Sequence, residues 1–243
     1  MARRSSINTS DEILEKPRRS RKSSRGGEFF TLSKISPLNS RQKQMMNAFE
    51  NRKHIVGVGS AGTGKSWVSC YMALKELINQ NVEKIIIARS AVSSRSLGHL
   101  PGSLDEKAEI YSLPFKAIVN KLCGCGTAWD TLTKKGYIEF ITTSYIRGLT
   151  LENCVVIIDE LQNMDPQECE SLLTRLGENC QVILCGDTRQ NDLFRKREVS
   201  CYEWLLRVVG KLEEYFEVIH FTSEDIVRSE ICKAIIMAIE DGV

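Results

Sequence analysis

The sequence contains no long apolar run, no C-x-x-C motif and no strong net charge, and each absence excludes a class of protein. Nowhere do its 243 residues approach the ~18–20 consecutive apolar residues that cross a membrane, so we expect no membrane partner. Nothing resembles a secretory signal, and the nine cysteines are scattered, which favours reduced thiols in a cytoplasmic protein. A net charge of +2 does not by itself indicate a nucleic-acid binder.

The closest cysteines, Cys123 and Cys125, leave two interpretations open. They are either small apolar residues or half of a metal site, and the lack of a second Cys or His pair favours the first. With 42% hydrophobic and 26% charged residues, the chain has the composition of an ordinary globular protein.

The stretch Gly59–Ser66 reads G-x-x-x-x-G-K-[ST], the phosphate-binding loop of nucleoside triphosphatases. Its glycines allow the backbone to turn N–H groups toward a phosphate, and Lys65 supplies an ammonium for the β- and γ-phosphates. The Ser66 hydroxyl is a Mg²⁺ ligand in this motif, so we predict ATP and Mg²⁺ as cofactors. The candidate nucleotide-binding residues are Gln42, Gly59, Ser60, Ala61, Gly62, Thr63, Gly64, Lys65, Ser66 and Trp67.

The surroundings of this loop support the interpretation, because a β-rich run (His54–Val58) precedes it and a helical pattern (Trp67–Gln80) follows it. Further predicted strands are Val82–Arg89, Tyr137–Thr143, Cys154–Glu160, Gln181–Cys185 and Glu217–Phe221. Four further helices are predicted. The first opens at Leu38–Gln42 and ends at Glu50, and the second covers Glu106–Thr133 with a break at Gly124–Gly126. The third begins after an N-cap at Asp165, and the fourth covers Ser229–Glu240. Strands that alternate with helices predict an α/β protein with three layers and a mostly parallel sheet.

The last of these helices carries apolar residues at the spacing of a buried face, so we expect this face to lie in the core. These residues are Ile231, Ala234, Ile235, Ala238 and Ile239.

Two acids end the most apolar strand of the chain. A central parallel strand that ends in Asp159 and Glu160 brings carboxylates to the edge where the phosphate loop lies. Asp159 is the candidate Mg²⁺ ligand beside Ser66, and Glu160 is the candidate base that accepts a proton from the attacking water.

Residues 1–28 differ in composition from the rest, which we predict to be one domain, residues 29–243. Lys16–Arg25 carries six positive charges and no negative one, and such a segment buries too little apolar surface to fold. Two interpretations remain open: a disordered basic arm that contacts nucleic-acid phosphates, or a solvated tail.

Two glutamines are further candidates. Gln42, near the start of a helix before the phosphate loop, is a candidate to bind adenine through its amide; the alternative is a surface residue. Gln190 follows the strand Gln181–Cys185 and is a candidate γ-phosphate sensor and catalytic residue; the alternative is an ordinary loop residue. Trp129, Tyr145 and Phe194 are either core residues or platforms on which bases stack.

Together these motifs resemble the PhoH family of predicted ATPases, in particular its short, phage-encoded PhoH-like members. The resemblance extends from about Pro37 to Ile239. Besides the phosphate loop it includes Gly98–Lys107, Ile146–Thr150, Ile158–Asn163, Leu173–Gly177, Gly186–Leu193 and Glu224–Ser229. It implies a RecA-like P-loop NTPase core related to superfamily 1 helicases.

The resemblance also implies a role for Arg228, as a candidate arginine finger that stabilises charge on the transferred phosphoryl group. The alternative is an arginine at a helix start that pairs with Glu224 or Asp225. The chain departs from bacterial members at Arg89-Ser90, where they tend to have Arg-Pro, and in the following loop, which lacks their acid.

Three functions are compatible with these residues. The first is a Mg²⁺-dependent ATPase coupled to movement on, or remodelling of, single-stranded RNA or DNA. The second is an ATP-regulated switch or assembly protein with slow turnover. The third, a small-molecule kinase, is disfavoured because Asp159, Glu160 and Gln190 suit activation of water. Superfamily 1 helicases close ATP between two cores, and this chain has room for one. Either Arg228 therefore acts on the nucleotide of its own subunit, or a neighbouring copy supplies the cation. We favour the second and expect a homo-oligomer, a head-to-tail hexameric ring in which each site is completed by its neighbour.

Overall fold

The computed structural model describes residues 30–89, 104–143, 150–187 and 201–240. The predicted basic arm, residues 1–28, lies outside this part of the chain. Six strands form one sheet: β1 (His54–Gly59), β2 (Lys84–Arg89), β3 (Ile138–Thr142), β4 (Cys154–Asp159), β5 (Gln181–Gly186) and β6 (Phe216–Phe221).

The sheet is parallel throughout, in the order β3-β2-β4-β5-β1-β6. Parallel strands present their carboxyl ends at one edge. The pairing register sets Arg89 of β2 beside Asp159 of β4, while Val58 of β1 faces Gly186 of β5. This edge therefore gathers the phosphate loop after β1 and the polar residues that end β2, β4 and β5.

Within the described residues the α-helices are α1 (Ser40–Glu50), α2 (Lys65–Ile78), α3 (Leu104–Leu122), α4 (Ala128–Lys134), α5 (Pro166–Leu173), α6 (Tyr202–Val209) and α7 (Glu230–Glu240). Helices α1 to α4 cover one face of the sheet, and α5 and α6 cover the other. Side chains alternate between the two faces, as the pleat requires: Ile55 packs toward α1 and α2, whereas Val56 packs on the opposite side. The predicted three-layer α/β fold with a parallel sheet is confirmed.

Local sequence signals place most helix ends well. The Asp165 side chain accepts a hydrogen bond from the Glu168 backbone at 2.8 Å, and the Glu168 carboxylate accepts one from the Asp165 backbone, which is the expected capping box. The predicted break at Gly124–Gly126 separates α3 from α4. Helix α2 begins at Lys65, two residues before the predicted start. Helix α6 was not predicted.

The expectation of a buried face on the last helix is wrong. In α7, Ile231 is 68%, Ile235 52% and Ile239 70% exposed. The helix instead turns Ile236 toward the phosphate loop, where its Cδ1 atom lies 3.5 Å from the position of a Cβ on Gly62. Helical spacing shows that a face is apolar but contains no information about whether another element covers it.

The cysteines are thiols. All nine are free, and seven of them are buried. Burial raises the pKa of the Cys123 thiol to about 11. No group of three or more His, Cys, Asp or Glu side chains that could hold a metal occurs among the described residues. None of the described helices has the length and apolarity needed to cross a membrane.

Candidate functional site

A cavity of about 690 Å³ opens at the carboxyl edge of the sheet, within the usual range for small-molecule sites. The phosphate loop and the start of α2 form its floor, and α3 forms one wall. Its lining residues are Leu38, Gln42, Ala61, Gly62, Thr63, Gly64, Lys65, Ser66, Trp67, Pro114, Phe115, Ala117, Ile118, Lys121, Asp159, Glu160, Gly186, Asp187, Val227 and Arg228. Most of the predicted site residues therefore share one cavity.

Glycine is required in the loop by contacts with the protein as well as by backbone conformation. Gly59 has φ +121°, and a Cβ there would lie 1.9 Å from the carbonyl oxygen of Phe221 on β6. Gly64 has φ +83°, and a Cβ there would lie 2.7 Å from the amide nitrogen of Gln42. Side chains are disfavoured at such φ values, so both positions exclude larger residues whether or not a phosphate is bound.

The Lys65 ammonium is turned into the loop. Its Nζ donates to the carbonyl oxygens of Gly59 and Ser60, each at 2.8 Å, and to the Thr63 hydroxyl at 3.2 Å. Burial lowers the pKa of Lys65, while the charges of nearby acids act in the opposite direction. A cation held inside a concave loop at a helix N-terminus is suited to an anionic ligand.

Ser66 and Asp159 lie side by side, as predicted for a Mg²⁺ site. The Ser66 hydroxyl is 3.3 Å from Oδ1 of Asp159. Burial, and then the charge of Glu160, raise the pKa of Asp159 to about 6. A carboxylate that is destabilised in this way gains from a nearby divalent cation, and hydroxyl and carboxylate oxygens are the ligands that Mg²⁺ prefers. The residues present therefore fit this metal.

Glu160 is held by contacts on both of its carboxylate oxygens. Oε1 accepts from the Arg89 guanidinium at 2.8 Å, and Oε2 accepts from the Gln162 amide at 2.5 Å. The Gln162 carbonyl in turn accepts from the Asp187 backbone at 2.9 Å. The Glu160 backbone has φ 58° and ψ 44°, a left-handed conformation that is uncommon outside glycine and is often found at functional sites.

Arg89 and Gln162 are not among the predicted site residues, although Gln162 lies in the motif Ile158–Asn163 of the family resemblance. Arg89 ends β2 and sits across from Asp159, with its Nε 3.7 Å from Oδ2 of that residue. Both residues have a weak signal in the sequence: each lies at or just beyond the end of a parallel strand, where side chains meet at one edge of the sheet.

The wall formed by α3 was also missed, since helical periodicity does not show which surface a helix faces. The Lys121 ammonium lies 5.4 Å from the centre of the Trp67 ring, and both residues line the cavity. This is the geometry of a cation–π contact. Trp129, in contrast, is buried in the core and is not a platform for bases.

Gln42 links α1 to the phosphate loop. Its amide nitrogen donates to the Thr63 carbonyl at 2.9 Å, and its amide oxygen accepts from the Leu38 backbone at 2.9 Å. The side chain lines the cavity, but only 3% of the residue is exposed. Both ends of the amide are used within the protein, so contact with adenine stays a prediction.

We expect Gln42→Ala to destabilise the fold by about 1–3 kcal/mol, because the Thr63 carbonyl and the Leu38 N–H lose their partner. Urea unfolding of the nucleotide-free protein measures this effect. Gln44→Ala is the matched control, since Gln44 hydrogen-bonds near the surface to Arg41 and Glu217, and its loss should change stability by less than ~0.5 kcal/mol.

The opposite result for Gln42→Ala is equally informative. Unchanged stability together with a lost preference for adenine over guanine nucleotides would show that Gln42 binds the base and does not anchor the loop.

Arg228 lies at the phosphate loop of its own chain. Its Cγ atom would lie 3.0 Å from the Cβ of a larger residue placed at Gly62, and the Arg228 side chain is exposed to solvent. Among the described residues it forms no ion pair with Glu224 or Asp225; the Asp225 carboxylate instead accepts from the Thr222 backbone at 2.9 Å. The predicted sensor Gln190 lies outside the described residues, as do Tyr145 and Phe194.

The family model described as PhoH-like protein matches residues 34–240. Protein PhoH of Escherichia coli (strain K12) is 36% identical over 203 residues, which is 83% of this chain and 57% of that protein. The PhoH-like protein of Bacillus subtilis (strain 168) is 33% identical over 200 residues, which is 81% of this chain and 61% of that protein. The chain therefore spans less than two thirds of these bacterial relatives.

Solved structures resemble the fold at low identity. The large terminase of a thermophilic bacteriophage aligns over 81% of this chain and 48% of its own, with a TM-score of 0.48 and 13% identity. The Pif1 helicase of Candida albicans aligns over 77% of this chain and 40% of its own, with a TM-score of 0.40 and 18% identity.

Proposed function

The chain belongs to the PhoH-like protein family, and from this premise we propose that it is a Mg²⁺-dependent ATPase whose turnover is coupled to single-stranded RNA or DNA. The observation that carries the proposal is the arrangement around Ser66. Its hydroxyl lies 3.3 Å from Asp159, in the cavity that also holds Lys65 and Glu160. A cation for the phosphates, an oxygen pair for Mg²⁺ and a carboxylate for water thus lie together.

Each residue has a defined part in this hydrolysis. Lys65 exchanges its contacts with the loop carbonyls for contacts with the β- and γ-phosphates. Ser66 and Asp159 would hold Mg²⁺, which would neutralise charge on the phosphates. Glu160 orients a water molecule and accepts its proton as the oxygen attacks the γ-phosphorus, and the bond from this phosphorus to the β–γ bridging oxygen breaks so that ADP leaves. We propose that Gln190 senses the γ-phosphate and that Arg228 stabilises the charge that develops on it.

Support for coupling to nucleic acid comes from the sequence. The stretch Lys16–Arg25 carries six cations and no anion, which suits contact with phosphates along a strand. The order of motifs is that of helicase-like ATPases, with an Asp-Glu pair after one strand and Gly186-Asp187 after its neighbour.

We also propose a homo-oligomer, with a hexameric ring as the specific form. The position of Arg228 at its own loop supports action within one chain, and supply of this residue to a neighbouring copy stays a prediction. We place the protein in the cytoplasm, since its nine thiols suit a reducing compartment. An origin in a phage stays a prediction.

A second function, an ATP-regulated switch with slow turnover, is favoured by one observation. The candidate base is paired with Arg89 at 2.8 Å, an arrangement that slows proton transfer until the pair opens. The two functions differ in whether a nucleic acid accelerates turnover.

We expect phosphate release from Mg·ATP to rise several-fold when single-stranded RNA or DNA is added, because a motor couples hydrolysis to its track. Phosphate release at low ionic strength, with each strand titrated separately, measures this. Turnover that depends on Lys65 but does not change with either RNA or DNA would favour the switch.

A variant of the arm provides the control. Replacing its six cations with serine should remove stimulation, and should reduce the slope of log affinity against log salt by about 0.7 for each phosphate that the arm no longer neutralises. If the variant is still stimulated, the nucleic acid binds elsewhere on the protein and not on the arm. The residues replaced are Lys16, Arg18, Arg19, Arg21, Lys22 and Arg25.

A further inference from the structure

The guanidinium of Arg89 spans the two acids at the end of β4. Its Nη2 donates to Oε1 of Glu160 at 2.8 Å, and its Nε lies 3.7 Å from Oδ2 of Asp159. Both side chains of the Arg89–Glu160 pair are largely buried, with 17% and 30% exposed. This is therefore an ion pair within the site and not a contact at the protein surface.

The pair occupies an atom that the proposed reaction needs. While Oε1 of Glu160 accepts a hydrogen bond from Arg89, it cannot accept a proton from water at the same position. Oε2 is engaged by Gln162, whose own carbonyl is held by the Asp187 backbone. Glu160 is thus fixed on both sides, in a left-handed backbone conformation that is itself unfavourable.

Arg89 is also connected to the wall of the cavity. Its guanidinium carbon lies 5.6 Å from the centre of the Tyr111 ring on α3. Pro114, Ile118 and Lys121 of the same helix line the cavity. Residues spaced by three, seven and ten positions lie on one face of a helix, so a ligand that shifts α3 also shifts the surface on which Arg89 rests.

The contact of Arg89 with the second acid is weak. Its Nε lies 3.7 Å from Oδ2 of Asp159, too far for a hydrogen bond. A cation bound by Ser66 and Asp159 would lie close to the guanidinium and repel it.

We infer that Arg89 is a positioning residue that restrains Glu160 while the site holds no nucleotide, and that Mg²⁺-nucleotide binding breaks the pair. The inference rests on the proposed function, since it assumes that Glu160 is the base. Binding energy is then partly used to open the Arg89–Glu160 pair, so the restraint lowers nucleotide affinity and, with it, turnover at low nucleotide concentration.

The test is a double-mutant cycle on the full chain, read out as affinity for Mg²⁺ with a non-hydrolysable ATP analogue. Arg89→Gln should bind about three- to tenfold more tightly than the parent, because no pair has to be broken. In the Glu160→Gln background the same substitution should give a smaller gain, because only the repulsion between the guanidinium and the bound cation is left to relieve. Arg89→Lys, which keeps the charge but not the fork, should fall between the parent and Arg89→Gln.

Either of two results would overturn the inference. Arg89→Gln without a gain would mean that no restraint exists. A gain of the same size in the Glu160→Gln background would mean that Arg89 acts only by repelling the cation held at Asp159. Arg52→Gln is the matched control. Arg52 pairs with Glu76 at 3.1 Å and does not line the cavity, so its loss should leave nucleotide affinity unchanged.

Turnover is the second readout. Basal kcat/KM should rise about three- to tenfold in Arg89→Gln, in step with the gain in affinity, whereas kcat should stay close to the parental value because the pair is already open once nucleotide is bound. An unchanged or lower kcat/KM in Arg89→Gln would overturn the restraint. If the parent binds the analogue but never releases phosphate, the ATPase proposal fails, and the affinity cycle alone decides the role of Arg89.

Discussion

Glu160→Gln is expected to lower kcat for ATP hydrolysis by about 10²–10⁴-fold, the usual contribution of a general base. The amide keeps the size of the side chain but cannot accept the proton of the attacking water. Nucleotide affinity should be kept or raised, because a neutral amide does not repel the negatively charged γ-phosphate as the Glu160 carboxylate does. Single-turnover phosphate release and titration with a non-hydrolysable analogue measure the two effects separately.

The matched control is Glu139→Gln. Glu139 on β3 pairs with Lys84 on β2 at 3.0 Å, so it is also an acid that pairs with a cation of the adjacent strand, but it does not line the cavity. This variant should hydrolyse ATP like the parent. If Glu160→Gln retained more than about a tenth of parental kcat, Glu160 would not be the base, and water activation would have to involve another group.

Lys65→Ala is expected to weaken nucleotide binding by about 10–100-fold, because a hydrogen bond to a charged group contributes about 1.5–3 kcal/mol. It should also lower kcat by about 10²–10³-fold, as loss of one preorganised cationic donor to the transferring phosphoryl group does. Filter binding or fluorescence titration measures the first effect, and phosphate release at saturating ATP measures the second.

Because Lys65 also bonds to the loop itself, the stability of this variant has to be compared with that of the parent. Its Nζ donates to the carbonyls of Gly59 and Ser60, so loss of Lys65 can also distort the loop. A melting temperature equal to that of the parent would show that the variant has lost only the cation that contacts the phosphates. Lys75→Ala is the control on the same helix, since Lys75 pairs with Glu50 near the surface and does not line the cavity. Lys65→Ala with parental affinity and turnover would disprove a phosphate role.

The strands could be predicted because each is a short run of β-branched and apolar residues, bounded by polar or glycine-containing segments. The phosphate loop and the Asp165 capping box were recognised for a similar reason, since their interactions join residues within a few positions of one another. The parallel direction of the strands could be predicted from the alternation of strands and helices. Once the sheet is parallel, Ser66 and Asp159 must approach the same edge, although 93 positions separate them.

Other features depend on partners that are distant in sequence and arbitrary in local pattern. The Phe221 carbonyl excludes any side chain at Gly59, and the Gln42 amide connects α1 to the phosphate loop through a hydrogen bond to Thr63. Arg89 reaches Glu160 across two strands that are adjacent only in the folded sheet. In each case packing of the chain brings one residue against a partner that is distant in sequence, and neither periodicity nor composition predicts such a pair.

The amino-acid sequence by itself determined the parallel α/β architecture, the phosphate loop and the acids opposite it, because all of these arise from short-range patterns. Tertiary structure alone decided that Arg89 holds the candidate base, that α3 walls the cavity and that the apolar face of α7 stays exposed. The physical reason is that burial and ion pairing depend on which surfaces meet, and this is a property of the whole packed chain.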